Sequence, residues 1–151
     1  MASTHIQFSE NLGRQLRLLH KNEGLELKPY EDTVGKITIG YGRNLTDKGI
    51  SNEEARDMAV SDLVETWEGL LDSDPYITLM DPVRRAAVID LAYNLGISGW
   101  RQFRRTRDHL AAGEYELAAE DLMDSKWFRQ VGLRGPRIVK MIVTGLWPWD
   151  V

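Results

Sequence analysis

The chain has 151 residues, no cysteine and a formal net charge of −4. Its length suits one ordinary domain with a core of its own, and its apolar fraction of 42% beside 28% charged residues is that of a soluble globular protein, not a disordered one. The missing cysteines exclude a disulfide framework, a thiolate nucleophile and a cysteine metal site, and the acidity argues against non-specific nucleic-acid binding. No stretch approaches the roughly 20 apolar residues of a membrane span, so membrane insertion is not expected. The first ten residues lack the basic start and apolar run of a signal peptide. His5, His20 and His109 are scattered without metal-ligand spacing. Neither a metal nor a cofactor is expected.

Leu12, Leu16 and Leu19 recur at helical spacing and predict a first helix over 9–22, ending at Glu23 with Gly24 as its C-terminal cap. Thr33 to Tyr41 reads as a small hairpin that turns near Val34-Gly35 and returns through Ile37, Ile39 and Tyr41, with Thr38 on the opposite face. Thr46 to Gly49 makes a turn. Ser51 and Glu54 have capping-box spacing and open a long helix to Leu71. This helix carries most of the negative charge: residues 51–82 hold nine acids against one base, read as a solvated outer face.

Asp72 to Pro75 breaks that helix, and Asp81-Pro82 starts the next with a cap followed by proline. Residues 83–95 are apolar on most sides and predict a buried central helix ended by Gly96 and Gly99. Further helices are expected over 101–112, 115–124 and 136–144, the last flanked by Pro136 and Gly145. Arg101, Arg104, Arg105 and Arg107 read as a solvated helix face, since they lack the aromatic interleaving of a nucleic-acid site. Trp127, Trp147 and Trp149 read as core or tail packing. The class is α+β, mostly helical, with one small sheet and no βαβ pattern.

Glu23, Asp32 and Thr38 place two carboxyls and a hydroxyl on a helix end, a loop and a strand. Glycoside hydrolysis needs one protonated carboxyl to serve the departing oxygen and an ionised group to direct water or steady the cationic centre. Glu23 stands at a helix C-terminus, where the backbone dipole opposes negative charge, and Asp32 lies in a wet turn. Taken singly, Glu23 is an exposed helix-end acid, Asp32 a turn residue and Thr38 a strand residue of good β-propensity.

The run Glu23-Gly24-Leu25, Leu27, Tyr30, Asp32-Thr33, Gly35, Thr38-Ile39-Gly40 and Gly42 resembles the active-site signature of the phage-type lysozymes, the muramidase endolysins of T-even-type tailed bacteriophages. The resemblance extends from Leu18 to Trp147. It implies a lysozyme-like fold: a single catalytic domain over 1–151 with a small N-terminal lobe (9–50), a connecting helix (51–71) and a helical lobe (72–151). It implies cleavage of the β-1,4 bond between N-acetylmuramic acid and N-acetylglucosamine by inverting single displacement, with Glu23 as general acid and Asp32 and Thr38 positioning water.

Gly42, Asn44, Tyr93, Asn94, Thr106 and Asp121 match the family's substrate-contact positions, although the last two differ in type from the commonest members. Arg134 matches an arginine that pairs with the catalytic acid, which makes Arg134–Glu23 the expected pair. The family usually carries histidine where this chain has Arg43, a departure that bears on the local ion pairs and the pH profile. Acidity also departs from the basic character common among cell-wall lysozymes. The resemblance further implies peptidoglycan as the substrate, with a monomer as the default state; the missing signal peptide implies a protein held in the host cytoplasm until a separate holin-type protein releases it. The alternatives are a lytic transglycosylase acting on the same bond and a catalytically idle wall-binding or virion module.

Overall fold

A computed structural model describes the backbone of residues 2–150 and the side chains of residues 11–150. The chain divides into two compact units, residues 1–55 and 56–151.

In the first unit, α1 (Ala2–Glu23) leads into an antiparallel sheet of order β1 (Glu26–Glu31), β2 (Ile37–Gly40) and β3 (Arg43–Asn44). The helix stops where the sequence says it should. Gly24 turns left-handed at φ +76°, while its N–H still donates to His20 O at 2.8 Å, a conformation that the absence of a Cβ makes accessible. α1 begins earlier than the expected residue 9, and the side chain of His5 lies outside the described residues.

The hairpin turn falls at residues 32–36, but the incoming strand is Glu26–Glu31, which the sequence pattern did not mark. This strand is an edge strand that contains Pro29, and its register slips between Glu26 and Tyr30. A proline has no N–H for a ladder and is tolerated at such an edge irregularity. β2 alternates as expected, yet the hydroxyl side is the covered one: Thr38 is 4% exposed and Ile37 42%.

α2 (Asn52–Ser73) opens with the expected reciprocal cap. Ser51 Oγ accepts from Glu54 N at 3.1 Å, and Glu54 Oε2 accepts from Ser51 N at 2.8 Å.

The second unit holds the apolar core, built on Leu70, Ile77, Val88, Leu91, Trp100, Leu122 and Ile142. A 3-10 turn (Pro75–Leu79) links α2 to α3 (Pro82–Arg101). Asp81 caps α3 as expected, its Oδ2 accepting from Arg84 N at 3.0 Å with Pro82 directly after it. Gly96 interrupts the helical backbone (φ 74°, ψ 155°), but helix resumes behind it, so the expected stop is a break and not an end. The full burial of Trp100 in the resumed turn holds it there.

α4 (Arg104–Ala111), α5 (Tyr115–Met123) and α7 (Arg134–Thr144) follow near the expected ranges. Between them lies α6 (Lys126–Gln130), five residues too short for periodicity to reveal, capped by Ser125 Oγ on Phe128 N. Arg84 closes α7 by donating to Ile142 O at 2.6 Å and Val143 O at 3.0 Å, with its guanidinium 4.0 Å above the Tyr115 ring. A cation on the last carbonyls of a helix is the arrangement that the backbone dipole favours.

One expectation is corrected here. Arg107 is not on a solvated face. Its guanidinium donates to Asp74 Oδ1 at 2.7 Å, Arg101 O at 3.0 Å and Ser73 O at 3.2 Å. Asp74 is 1% exposed and also accepts from Trp100 Nε1 at 3.0 Å. A buried carboxylate needs such partners, and charge counting along a sequence cannot see one 33 residues away.

Candidate functional site

The residues singled out by sequence fall in both units, and each set is described within its own unit. In the first unit the hairpin joins Asp32 and Thr38 through one residue, Lys36. Asp32 Oδ1 accepts from Lys36 N at 2.8 Å and from Val34 N at 2.9 Å, an Asx-type closure of the turn. Lys36 O in turn accepts from Asp32 N at 2.8 Å and from Thr38 Oγ1 at 3.2 Å.

The chemistry left over is specific. Thr38 has committed its single proton to Lys36 O, so its remaining capacity is as an acceptor. Among the described residues, Asp32 Oδ2 takes no protein hydrogen bond. The hairpin therefore presents two acceptor oxygens, one from a carboxylate and one from a hydroxyl.

Glu23 ends α1 with an exposed side chain. Its carboxylate lies against the backbone of Gly42: a Cβ placed on that glycine would stand 2.9 Å from Glu23 Oε2 and 3.2 Å from its Cγ. Gly42 also has φ +78°, so glycine is required twice over, by conformation and by space. The strand register explains the meeting. Glu26 pairs with Gly40, so the chain leaving α1 runs beside the chain approaching Gly42.

Asn44 is engaged in its own turn, giving to Asp47 Oδ2 at 2.9 Å and accepting from Asp47 N at 3.0 Å. Next to Gly42, Arg43 grips Glu54 at two points, 2.9 and 2.5 Å, and gives a third hydrogen bond to Gly49 O at 3.2 Å. The Arg43 hydrogen bonds, with that from the Ser51 N–H, pull the Glu54 carboxyl down to about 2. A carboxyl lowered on folding stabilises the fold above its unfolded value near 4.5, and that contribution is lost as pH falls toward 2.

In the second unit, Asn94 is exposed, and its Oδ1 accepts from Trp127 Nε1 at 2.8 Å. Its amide N–H groups thereby keep a fixed direction. Trp127 as the group that orients Asn94 was not legible from the sequence. Thr106 is fully buried, and its hydroxyl donates to Asp121 Oδ2 at 2.5 Å, so the two substrate-contact candidates bind each other. Asp121 also faces Arg105 Nε at 3.6 Å.

Arg134 forms a two-point pair with Asp90, at 2.8 and 2.9 Å. Within its own unit the carboxylate it holds is Asp90, and these hydrogen bonds raise the guanidinium pKa further; the expected partner, Glu23, belongs to the first unit. Tyr93, Asp90 and Arg134 line a groove of about 980 Å³ with Trp147 and Trp149, whose rings stack at 5.1 Å. Among the described residues, no three His, Asp or Glu side chains converge as a metal site would require.

The first unit thus sets a helix-end acid beside a glycine backbone and follows it with a hairpin that offers a carboxylate and a hydroxyl. The sequence profile of the family described as phage lysozyme matches residues 20–142. The chain belongs to that family. It is 27% identical over 156 aligned positions to the pre-baseplate central spike protein Gp5 of Enterobacteria phage T4, covering 85% of this chain and 27% of that protein. It therefore spans only about a quarter of the spike protein's length. To the probable T4-type lysozyme 1 of Dictyostelium discoideum it is 22% identical over 158 positions, 85% of this chain and 92% of the relative. The SAR-endolysin of Bacteriophage PS119 is 31% identical over 84 positions, 52% of this chain and 48% of the relative.

Proposed function

We propose that this protein is a peptidoglycan hydrolase of the lysozyme type, cleaving the β-1,4 bond between N-acetylmuramic acid and N-acetylglucosamine. The observation that carries the reading is the pair of acceptor oxygens on one hairpin, joined through Lys36, in a chain of the phage lysozyme family. A water held by Asp32 Oδ2 and Thr38 Oγ1 directs both its hydrogens at those acceptors. Its lone pair is then left to attack the anomeric carbon. Glu23 gives its proton to the leaving oxygen as the glycosidic bond breaks, and the Asp32 carboxylate takes the proton that the attacking water releases. Attack from the face opposite the leaving group inverts the anomeric centre. Gly42 lets the backbone come close to the acid.

A lytic transglycosylase acting on the same bond needs no water and gives no role to the paired acceptors. Product analysis separates the two. Hydrolysis leaves a reducing muramic end, heavier by one water than the anhydro ring the transglycosylase forms, and the first-formed anomer is inverted. Anhydro products from purified glycan strands would overturn the hydrolytic reading.

A second reading concerns the setting of the same activity. Likeness to a central spike protein favours a lysozyme unit carried in a virion, whereas likeness to an endolysin favours a free lytic enzyme. No helix among the described residues is long and apolar enough to cross a membrane. Fractionating purified particles separates the readings, because a virion component stays with them and a free endolysin does not.

A further inference from the structure

We propose that Arg43 and Glu54 act as a positioning pair for the acid, fixing the Gly42 backbone against the Glu23 carboxylate through the Arg43 side chain. The proposal rests on the reading of Glu23 as the proton donor, and its geometry lies wholly within the first unit.

Gly42 is the point of leverage. The Glu23 carboxylate is so close to it that even a methyl group would meet Oε2 at 2.9 Å, so a small shift of this backbone moves the acid or opens a gap beside it. Besides the Arg43 side chain, the segment around Gly42 is held by the edge-on contact of Tyr41 with His20, ring centroids 5.7 Å apart, and by the short β2–β3 ladder. β3 is two residues long, Tyr41 is 40% exposed and Ile37 is 42% exposed. The residue directly after Gly42 carries a polar contact of three hydrogen bonds. Arg43 reaches Glu54 through two parallel N–H bonds and Gly49 O through a third. A forked guanidinium–carboxylate pair fixes direction as well as distance, which a single surface contact does not.

Glu54 is itself immobilised, because its other function is to accept from Ser51 N at the start of α2. The line of contacts therefore runs from the helix start through Glu54, Arg43 and Gly42 to Glu23. Arginine keeps this line charged at every pH at which Glu54 is ionised. Histidine at the same position would keep it only below its own pKa, ordinarily about 6.5. Of the other charged or titratable groups of this segment, Lys36 and Asp47 pair with each other at 3.1 Å, while Lys48, and His20 against the Tyr41 ring at 5.7 Å, are common to wild type and every variant compared. Titration of an imidazole at position 43 would therefore be read against Glu54.

The experiment compares wild type, Glu54→Gln, Arg43→His and the double variant. It measures kcat and KM on purified glycan strands from pH 4.5 to 8, thermal unfolding, and the Glu23 carboxyl resonance in 13C-labelled protein. Glutamine still serves the capping box, so Glu54→Gln removes the ion pair while sparing the helix start.

Expected are a fall in kcat for Glu54→Gln of up to about a hundredfold, the scale of a misplaced catalytic group, with KM changed less than about twofold and a displaced Glu23 resonance. Arg43→His should show near wild-type kcat at pH 5 and lose it through about pH 6.5–7.5 as the imidazole deprotonates. The double variant should lack that step. Loss of thermal stability with kcat, its pH profile and the Glu23 resonance all unchanged would overturn the proposal and leave the pair a purely structural contact. The resonance needs no turnover. A wild type without activity whose Glu23 signal still moves in Glu54→Gln would defeat the hydrolase reading while upholding the positioning, and an unmoved signal would defeat the positioning in either case.

Discussion

Gly42 shows how one residue type is fixed by two independent demands. Its φ of +78° is a conformation that other residues adopt at a penalty, and its missing side chain is where the Glu23 carboxylate lies. Gly42→Ala therefore combines backbone strain of about 1–2 kcal/mol with displacement of the proposed acid. The expected outcome is a modest drop in thermal stability and a much larger drop in glycan cleavage. A variant that loses stability but keeps full turnover would show that Glu23 tolerates a shift at this contact. The motif made Gly42 legible as a place of close approach, but not what approaches it. Arg43 was legible as a departure from the family pattern. Its partner was not, because nothing in the local sequence ties position 43 to the capping glutamate 11 residues on.

Among the elements, those whose determinants are local were readable in advance. The Gly24 stop, the Ser51–Glu54 box and the Asp81-Pro82 start each need only three or four consecutive residues. β1 was missed because Glu26-Leu-Lys-Pro-Tyr-Glu31 carries charges and a proline, and only the sheet edge makes it a strand.

Packing between elements was equally hidden. Gly69, inside α2, looks like a helix weakness that alanine would improve by about 0.8–1 kcal/mol. The structure reverses that expectation: a Cβ there would meet Ile97 Cγ1 at 2.5 Å and Cδ1 at 2.8 Å. Overpacking of this kind costs about 1–3 kcal/mol, so the contact outweighs the propensity. Gly69→Ala should lower the melting temperature, and the same change in an Ile97→Ala background should raise it. Stabilisation by Gly69→Ala alone would mean that Ile97 moves aside freely.

At the scale of the molecule, the two units are built differently. In the first, Thr38 is the one buried side chain among the described residues, and order comes from hydrogen bonds of the turn, the cap and the Arg43–Glu54 pair. In the second, a continuous apolar core surrounds α3, and a buried polar group, Asp74, ties the ends of α2, α3 and α4 together through Arg107. Arg107→Ala would strand that carboxylate with only Trp100 and Ser73, and removing one partner of a buried pair costs about 3–5 kcal/mol. Unfolding in urea should register a loss of that order, and a change well under 1 kcal/mol would show that Asp74 is served well enough without the guanidinium. The helical class and the position of the sheet were legible because hydrophobic periodicity is a property of the whole chain. Which arginine turns inward was not, since that depends on a partner brought near only by the fold.

Glycan cleavage as proposed depends on Glu23 giving the proton, and removing that carboxyl is the most direct test. Glu23→Gln keeps the size and the hydrogen-bonding outline of the side chain at an exposed helix end, so folding and thermal stability should match wild type. Clearing of outer-membrane-permeabilised Gram-negative cells and cleavage of purified glycan strands should fall by about a hundredfold to ten-thousandfold, the share a positioned general acid supplies. A folded Glu23→Gln protein that clears cells as fast as wild type would contradict the account.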